Sequence, residues 1–458
     1  MVLRGRRHQP LRNSILKDAV AAVTEEIIAN TGRLPAVEHL LTQCPPIFVD
    51  GLRPAGIISA DGDLPAETSR AISAMAGTTL AIQGPPGTGK TYVSALSIVD
   101  LVRAGKRIAV SSNSHKAIGN LLEAVVDRAR AEGVPCSVVQ KASDDGDDEA
   151  HPGIIFVSDN DAPEIAAADV VGATAWHFAR YADAAYDHLI VDEAGQVSIA
   201  NILAMARCAR NIVLVGDPMQ LPQPLQGSHP GDSGRSCLEY LIDGHRVAPS
   251  DRGVFMPVSR RMHPRICDFI STAVYEDRLG SEEAAGSQTL VSRAGDDLVG
   301  AGMRAVAHFG RSQVSPEEID AVAARIVEVE GSTYRDRERR ERVVGPADIL
   351  VVAPYNAQVN ALRARLPSTV RVGTVDRFQG QEAPVCLVSM TTSSGEELPR
   401  DIAFLFSLNR INVAVSRAQV AAMVFASPAL LETPCRTIEE MALVNALCLL
   451  REHGGDNF

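Results

Sequence analysis

The chain has no run of 18 or more apolar residues among its 458, and its basic N-terminus is not followed by an apolar signal core. Because a membrane-spanning helix needs about 20 apolar residues, this composition predicts no contact with a membrane and a cytoplasmic location. The eight cysteines are scattered and form no CxxC pair. Their spacing argues against a zinc site or an iron–sulfur cluster and favours reduced, buried thiols.

An excess of positive charge is also lacking, since the formal net charge is −12. This balance weighs against nucleic-acid binding by overall charge, although a translocase binds through a local groove. One segment, 334–342, is densely charged, but its charges alternate in sign and predict an exposed, salt-bridged stretch. The chain does have length and an apolar content of 46%, which predict two to four domains with ample material for two cores.

The most specific signal is a glycine-rich loop between a predicted strand, 79–83, and a predicted helix, 92–104. Its residues are Gly84, Pro85, Pro86, Gly87, Thr88, Gly89, Lys90 and Thr91. The backbone N–H groups of such a loop, with the positive end of the following helix dipole, bind a β-phosphate. Lys90 would reach the β- and γ-phosphates and the Thr91 hydroxyl would hold Mg²⁺, so the loop predicts a bound nucleoside triphosphate. An ordinary glycine-rich loop is the alternative, and the flanking strand and helix count against it.

Two adjacent carboxylates, Asp192 and Glu193, end the apolar stretch 188–191. The carboxyl ends of parallel strands line a ligand crevice, which predicts Asp192 beside Mg²⁺ and Glu193 beside the γ-phosphate. Glu193 would orient and deprotonate the attacking water, which favours an ATPase; a simple helix cap is the alternative. After the next apolar strand, 211–215, Gln220 lies on a loop beside the same crevice and would bond both the γ-phosphate and that water.

Six stretches occur in a fixed order: IQGPPGTGKT, VDEAGQ, GDPMQLPQ, RRMHPRICDFIS, VGTVDRFQGQE and LNRINVAVSRA. Over about residues 55–450 they resemble the motifs of superfamily 1 helicases. The resemblance is closest to the 1B branch, which contains the nonsense-mediated-decay helicase and the replication helicase/nuclease. Residues 404–450 more specifically resemble bacterial fusions of a RecB-like nuclease to such a helicase.

The resemblance implies an α/β fold of two RecA-like P-loop domains with parallel sheets and an interdomain ATP cleft. We expect an N-terminal helical accessory segment (1–54), a first RecA-like domain (55–245) and a second (246–458). Apolar strands alternate with helical runs on both sides of residue 245, which agrees with two doubly wound sheets. The strands predicted for the second sheet are 253–258, 304–308, 349–353, 370–375, 385–390 and 421–426.

Further nucleotide contacts are implied by the resemblance. In the family, arginines at the positions of Arg261 and Arg417 reach the γ-phosphate across the cleft, where they stabilise charge on the transferring phosphoryl group. Surface ion pairs are the alternative for both. Glu382 would position the nucleotide or couple it to the second domain, whereas a solvated loop carboxylate is the competing interpretation.

The chain departs from the family where relatives read adenine. The stretch 67–70 has Arg70 at the place expected for an adenine-reading glutamine, and Ser259-Arg260 replaces a Gln-Tyr pair. The planar guanidinium of Arg260 would offer a stacking surface without reading the base edge. We therefore expect other nucleoside triphosphates to be used within about tenfold of ATP, a gap near 1.4 kcal/mol.

Polar residues at predicted strand ends are the candidate nucleic-acid contacts, because hydroxyls, amides and N–H groups there can bind backbone phosphates. They are Ser112, Asn113, His115 and Thr174 in the first domain, and Pro354, Tyr355, Thr374 and Asp376 in the second. Tyr355 would stack on a base. Simple helix caps are the alternative for each cluster.

These observations predict an ATP-dependent helicase or translocase on single-stranded nucleic acid. The resemblance favours DNA over RNA and 5′-to-3′ movement. Only 83 residues precede Gly84, too few for the nuclease domain of the fusions, so the chain is expected to be a truncated or a split member, and in the second case a separate nuclease subunit is the expected partner. The alternative is a regulatory ATPase that binds nucleic acid or protein without unwinding. A GTPase switch is disfavoured by the lack of an [NT]KxD sequence.

Overall fold

The computed structural model describes residues 14–51, 53, 56–59, 62–142, 151–223, 230–378 and 380–454. Two compact units are present. The first unit comprises Met1–Gln83, Lys90–Pro218 and Gln223–Phe255, and the second comprises Gly84–Gly89, Met219–Pro222 and Met256–Phe458. The glycine-rich loop therefore has most of its contacts with the second unit, although the strand before it and the helix after it belong to the first.

The first unit contains alternating strands and helices. Its strands are β1 (Thr79–Gln83), β2 (Ile108–Ser111), β3 (Val138–Lys141), β4 (Ile154–Val157), β5 (Val170–Gly172), β6 (Tyr186–Val191), β7 (Ala209–Gly216) and β8 (Gly253–Phe255). Its helices are α1 (Ser14–Ile28), α2 (Pro35–Thr42), α3 (Leu64–Ser73), α4 (Lys90–Arg103), α5 (His115–Ala131), α6 (Pro163–Ala167), α7 (Ala175–Phe178), α8 (Ile199–Met205) and α9 (Cys237–Leu241).

The strands of the first unit form one parallel sheet in the order β4-β3-β5-β2-β6-β7-β1-β8. The central strands are continuous apolar runs, and Leu189, Ile190 and Val191 of β6 are at most 1% exposed. Such runs are expected where helices cover both faces of a sheet. Helices begin at polar caps, as where the Ser114 hydroxyl accepts a hydrogen bond from Ala117 N at 3.1 Å.

The second unit has a smaller parallel sheet and an added antiparallel one. Its strands are β9 (Val258–Ser259), β10 (Gly280–Ser281), β11 (Thr289–Val291), β12 (Gly300–Ala305), β13 (Thr333–Arg335), β14 (Glu341–Val343), β15 (Ile349–Val352), β16 (Arg371–Gly373), β17 (Ala383–Ser389) and β18 (Ala418–Ala426). Its helices are α10 (Pro264–Val274), α11 (Pro316–Val329), α12 (Asn356–Arg365), α13 (Ile402–Leu405), α14 (Leu408–Val415) and α15 (Ile438–Gly454). The parallel sheet has the order β12-β18-β17-β15-β16, and β11-β13-β14 are antiparallel.

The structure corrects the predicted organisation in two places. The strand predicted at 253–258 as the start of the second sheet is shorter and lies in the first, because Gly253–Phe255 pairs with β1. The segment 1–54 is not separate from the first domain where it is described: Val23, Val37 and Leu40 of its two helices are buried in the same core as β6 and β7. Residues 1–13, 52 and 54 lie outside the described residues.

A buried polar network holds the chain that follows β17. Glu318 of α11 is fully buried and accepts a hydrogen bond from Thr391 N at 2.8 Å. Its other carboxylate oxygen lies 2.9 Å from Nε2 of His308, whose Nδ1 lies 2.7 Å from the Ser393 hydroxyl. Because a buried carboxylate is costly unless it is fully hydrogen-bonded, this network fixes one geometry for residues 391–393.

No helix of the described residues is long and apolar enough to cross a membrane. Within the same residues, no group of three or more His, Cys, Asp and Glu side chains could hold a metal ion. Of the eight free cysteines, Cys208, Cys237, Cys267 and Cys386 are buried and Cys44 is exposed, so burial is confirmed for only part of the set.

Candidate functional site

The glycine-rich loop connects the end of β1 to the first residue of α4. Gly87 and Gly89 have φ values of 77° and 89°, in the left-handed region that glycine adopts without strain. The Thr88 hydroxyl donates to Pro85 O at 2.8 Å, which closes the turn. Lys90 and Thr91 begin the helix, and Thr91 is exposed. A turn of this kind at a helix N-terminus is a ready-made anion site.

Asp192 and Glu193 follow β6, as predicted. Asp192 is only 8% exposed, and Glu193 has a φ of 52°, an uncommon conformation for a residue with a side chain. Burial and the neighbouring Glu193 raise the pKa of Asp192, while the Lys90 ammonium opposes that shift. The Asp192 carboxylate therefore lies close enough to the Glu193 carboxylate and to the Lys90 ammonium for both charges to act on it. Carboxylate and hydroxyl oxygens, such as those of Asp192 and Thr91, suit a hard divalent cation such as Mg²⁺.

Two glycines allow the turn after β6 to contact the turn after β7. A Cβ on Gly216 would lie 2.8 Å from Ala194 N, and a Cβ on Gly195 would lie 2.5 Å from Asp217 O. Side chains at either position would force the two turns apart. The close approach brings Ala194 and Gly195, which follow Glu193, against Gly216 and Asp217.

Gln220 itself is grouped with the second unit and is 7% exposed. Its carbonyl accepts a hydrogen bond from the Asn409 amide, and the Asn412 amide donates to the carbonyl of Met219 at 2.8 Å. Both asparagines are on α14, within the stretch LNRINVAVSRA. The loop that carries Gln220 is therefore held by its backbone to this helix.

The two predicted arginines of the second unit are brought together. Arg261 forms an ion pair with Glu382, and its Nη1 donates to Ser416 O at 3.4 Å. Arg417 is 3% exposed, and it donates to Val413 O and to Gln381 O, each at 3.1 Å. The surface ion pair considered for Arg417 is therefore wrong, because this arginine is buried and holds the turn that carries Glu382. Its contact with a γ-phosphate stays a prediction.

Ser259 and Arg260 contact the glycine-rich loop directly. The Ser259 hydroxyl donates to Pro86 O at 3.0 Å, and Arg260 N donates to Gly87 O at 2.9 Å. The approach is close enough that a Cβ on Gly87 would lie 2.5 Å from the Arg261 Cβ. The backbone of Arg260 is therefore held next to the phosphate loop, while its guanidinium pairs with Glu282 at 3.3 Å. Its predicted stacking role stays a prediction.

Arg70, at the place expected for an adenine reader, points away from buried structure. Its side chain is 72% exposed and pairs with Glu67 at 3.4 Å on the same helix, α3. An i,i+3 pair on an exposed helix face is an ordinary surface interaction. The expected loss of adenine reading at this position stays a prediction.

In the first unit, the candidate nucleic-acid residues share one edge of the sheet. Val110 of β2 pairs with Gly172 of β5, so Ser112 and Thr174, which follow these strands, lie at neighbouring positions. Thr174 is at the start of α7 but makes no side-chain cap, which counts against the helix-cap alternative there. Asn113 donates to the carbonyl of Gln196, and His115 is the first residue of α5. Ser112 is buried, so it would act through its backbone.

In the second unit, Pro354 and Thr374 also share an edge, because Val352 of β15 pairs with Gly373 of β16.

The predicted base-stacking role of Tyr355 is wrong for this conformation. Tyr355 is 7% exposed and its ring stacks on Phe404, with 5.8 Å between the ring centroids. The interacting ring was not foreseen because it lies far along the chain.

The predicted phosphate contact of Asp376 needs a similar correction. Its carboxylate is exposed and lies 3.7 Å from the guanidinium of Arg410, and a carboxylate repels phosphate. Two better candidates for phosphate contact, Arg400 and Arg410, were not predicted from the sequence. Their guanidinium carbons each lie 4.4 Å from the centroid of the Phe404 ring. A guanidinium held over an aromatic ring is pre-oriented at little entropic cost. The sequence feature that could have identified them is the aromatic stretch 404–406, with Arg400 before it and Arg410 after it.

Two family models and several curated helicases are similar to this chain. One family model described as "AAA domain" matches residues 65–232, and a second with the same description matches residues 233–429. The DNA replication ATP-dependent helicase/nuclease JHS1 of Arabidopsis thaliana is 27% identical over 363 residues, covering 74% of this chain and 26% of that protein. The DNA replication ATP-dependent helicase/nuclease DNA2 of Gallus gallus is 28% identical over 352 residues, covering 74% of this chain and 33% of that protein.

This chain thus spans about a quarter to a third of the length of these curated relatives. Among solved structures, the Arterivirus nonstructural protein 10 (helicase) aligns with 80% of this chain and 62% of that one, at 14% identity and a TM-score of 0.42.

Proposed function

We propose that this chain, a member of the superfamily 1 helicases, uses ATP hydrolysis to move along single-stranded nucleic acid and to separate duplexes. The observation that carries the proposal is the position of Asp192 and Glu193 directly after β6, a central strand of the parallel sheet, with Asp192 buried and close enough to Lys90 for the ammonium to act on it. Strained backbone at Glu193 supports a functional role, since such conformations concentrate at active sites.

We propose the following roles for the residues around the nucleotide. The backbone of Gly84–Gly89 and the Lys90 ammonium bind the phosphates. Thr91 and Asp192 hold Mg²⁺, which when bound neutralises charge on the phosphate oxygens. Glu193 orients the attacking water and accepts its proton, and Gln220 bonds the same water.

Arg261 supplies positive charge to the transferring phosphoryl group, and Glu382 positions the Arg261 guanidinium. Support comes from the ion pair between these two side chains and from the contact of Ser259 and Arg260 with the phosphate loop. Arg417 acts through the same turn, because it donates to Gln381 O. An arginine that is already oriented in this way adds little reorganisation cost at the moment of reaction.

We propose that the nucleic acid is a single strand of DNA that moves 5′ to 3′, as the resemblance to the 1B branch implies. In the first unit the strand would meet the edge that carries Ser112 and Thr174. In the second unit it would meet Pro354 and Thr374, with Arg400 and Arg410 on its phosphates. The resemblance to bacterial nuclease fusions, the separate nuclease subunit and the cytoplasmic location stay predictions.

The test is ATP turnover by the full chain with and without single-stranded DNA or RNA. We expect single-stranded DNA and single-stranded RNA each to raise kcat. The reason is that one stretch, 381–417, carries both the proposed nucleotide contacts, Glu382 and Arg417, and the proposed strand contacts, Arg400 and Arg410. DNA should stimulate more strongly than RNA. A turnover rate that does not respond to any nucleic acid would contradict the proposal and favour an ATPase regulated by a protein.

A further inference from the structure

The charged segment 334–342 is a β-hairpin, and it is less isolated than its sequence suggests. β13 and β14 pair with Arg335 opposite Glu341, so 336–340 form the turn. The Asp336 carboxylate closes the turn by accepting hydrogen bonds from Arg340 N at 2.9 Å and Arg340 Nε at 2.8 Å. Arg339, with a φ of 63°, occupies the left-handed position. The hairpin therefore has a defined conformation with guanidinium and carboxylate groups at fixed places.

The hairpin forms one wall of a cavity of about 500 Å³ that reaches the phosphate loop. The opposite wall includes Gly87, Arg260 and Arg261, and the hairpin wall includes Arg337 and Glu338. All of these residues belong to the second unit. The volume lies in the range of pockets that hold small ligands. Arg337 and Glu338 pair with each other at 2.8 Å between Nε and Oε1, and each side chain is 47% exposed, so the polar atoms outside this pair can meet a ligand.

A chain of hydrogen bonds connects the hairpin turn to the phosphate loop through a single residue. Arg337 Nη1 donates to the carbonyl of Arg260 at 3.1 Å, and Arg260 N donates to the carbonyl of Gly87 at 2.9 Å. The turn is thus held at a fixed distance from the loop proposed to bind the triphosphate. A ligand group that extends from the loop over Arg260 would next meet Arg337.

A second chain connects the base of the hairpin to the proposed arginine finger. The Tyr334 hydroxyl lies 3.0 Å from Oε1 of Gln419, and Gln419 Nε2 donates to Glu382 at 2.8 Å. Glu382 in turn pairs with Arg261. The hairpin is therefore part of the hydrogen-bonded framework of the nucleotide contacts and not an independent surface feature.

We propose that this hairpin, 333–343, binds the nucleoside part of the triphosphate, with Arg337 donating to base or ribose oxygen and nitrogen atoms and Glu338 accepting from hydroxyl or amino groups. The inference rests on the proposed function, because it takes the phosphates to lie on Gly84–Gly89. The phosphates use the backbone N–H groups of that loop, which leaves the cavity beyond Gly87 for the nucleoside. The hairpin thereby supplies nucleoside contacts beside Arg260, which lines the same cavity.

The experiment measures dissociation constants of the full chain for Mg·ATP, Mg·GTP and Mg·tripolyphosphate by isothermal titration. Arg337→Ala should raise Kd for ATP and for GTP by about tenfold, because it removes a charge-assisted hydrogen bond to the nucleoside. Its Kd for tripolyphosphate should stay within twofold of the unsubstituted chain, which also verifies that the variant is folded. Arg337→Lys should resemble Arg337→Ala, since an ammonium lacks the planar fork.

Arg339→Gly is the matched control. It removes one charge from the same turn at a position that glycine tolerates, and Arg339 is not among the described residues that line the cavity. Its three dissociation constants should be unchanged. Unchanged ATP and GTP binding by Arg337→Ala would overturn the inference alone, as would an equal loss for tripolyphosphate. Failure of the unsubstituted chain to bind either ATP or tripolyphosphate would instead overturn the proposed function.

Discussion

Arg261 and Glu382 form an ion pair that brings together two residues 121 positions apart in the chain. Burial alone would raise the pKa of Glu382, but the Arg261 guanidinium and the Gln419 amide outweigh it, so that pKa lies below its usual value. The carboxylate is therefore ionised at neutral pH and holds the guanidinium in place. Two of the residues proposed to act on the nucleotide are thus pre-oriented by each other.

Substitution of Glu193 tests the proposed chemistry. Glu193→Gln keeps the shape of the side chain but removes the proposed base, so turnover should fall at least ~10²-fold while binding of Mg·ATP is retained. Stopped-flow phosphate release and equilibrium ATP binding measure the two quantities. Lys90→Ala should instead weaken nucleotide binding. Hydrolysis by the glutamine variant at the unsubstituted rate would show that Glu193 is not the base.

Substitution of Arg261 and Arg417 tests their common role. Each change to alanine should slow hydrolysis, by up to ~10³-fold for Arg261, with little loss of ATP affinity, because the charge acts mainly on the transition state. The fold-decrease in kcat of the double variant should be smaller than the product of the two single decreases, since both arginines contact the turn at Gln381 and Glu382. Strictly multiplicative effects in a steady-state kcat cycle would argue that the two arginines act independently.

Arg410 is the test of the proposed strand surface. Arg410→Ala removes a guanidinium held over Phe404 and should weaken single-stranded DNA binding about tenfold, with a salt dependence reduced by about one counterion. Fluorescence anisotropy over a range of salt concentrations measures both. Arg365→Ala is the control, because it removes an exposed arginine of α12 that pairs with Asp320. Equal losses of DNA affinity in the two variants would show that only the overall charge of the protein matters and would contradict the proposed strand surface.

The buried network around Glu318 makes a prediction about stability. Glu318→Ala leaves His308 and Thr391 N without their buried acceptor and should lower the free energy of unfolding by about 3 kcal/mol or more. Glu317→Ala, one residue earlier on the same helix, removes a partly exposed pair with Arg311 and should have a much smaller effect. Urea unfolding of both variants makes the comparison, and a loss for Glu317→Ala as large as that for Glu318→Ala would contradict it.

The parts that were predictable from sequence are those fixed by neighbours in the chain. The phosphate loop, the carboxylates after β6 and the turn after β7 each consist of an apolar strand followed at once by special residues, so local pattern is sufficient. The stacking of Phe404 on Tyr355 and the pairing of β8 with β1 join distant segments, which no local pattern records. The salt bridges of the hairpin were predicted correctly, since Arg335 pairs with Glu341 and Arg340 pairs with Asp336 on an exposed turn. The hydrogen bond from Arg337 to Arg260 O was not predicted, because it joins segments 77 positions apart.

ATP-driven unwinding is tested most directly by strand displacement with the full chain, ATP and Mg²⁺, on duplexes that carry either a 5′ or a 3′ single-stranded tail. We expect the 5′-tailed duplex to be unwound and the 3′-tailed duplex to stay intact. Glu193→Gln should unwind neither. ATP turnover without displacement of either duplex would contradict helicase function and favour the regulatory ATPase. Efficient unwinding from a 3′ tail alone would contradict the proposed direction of movement.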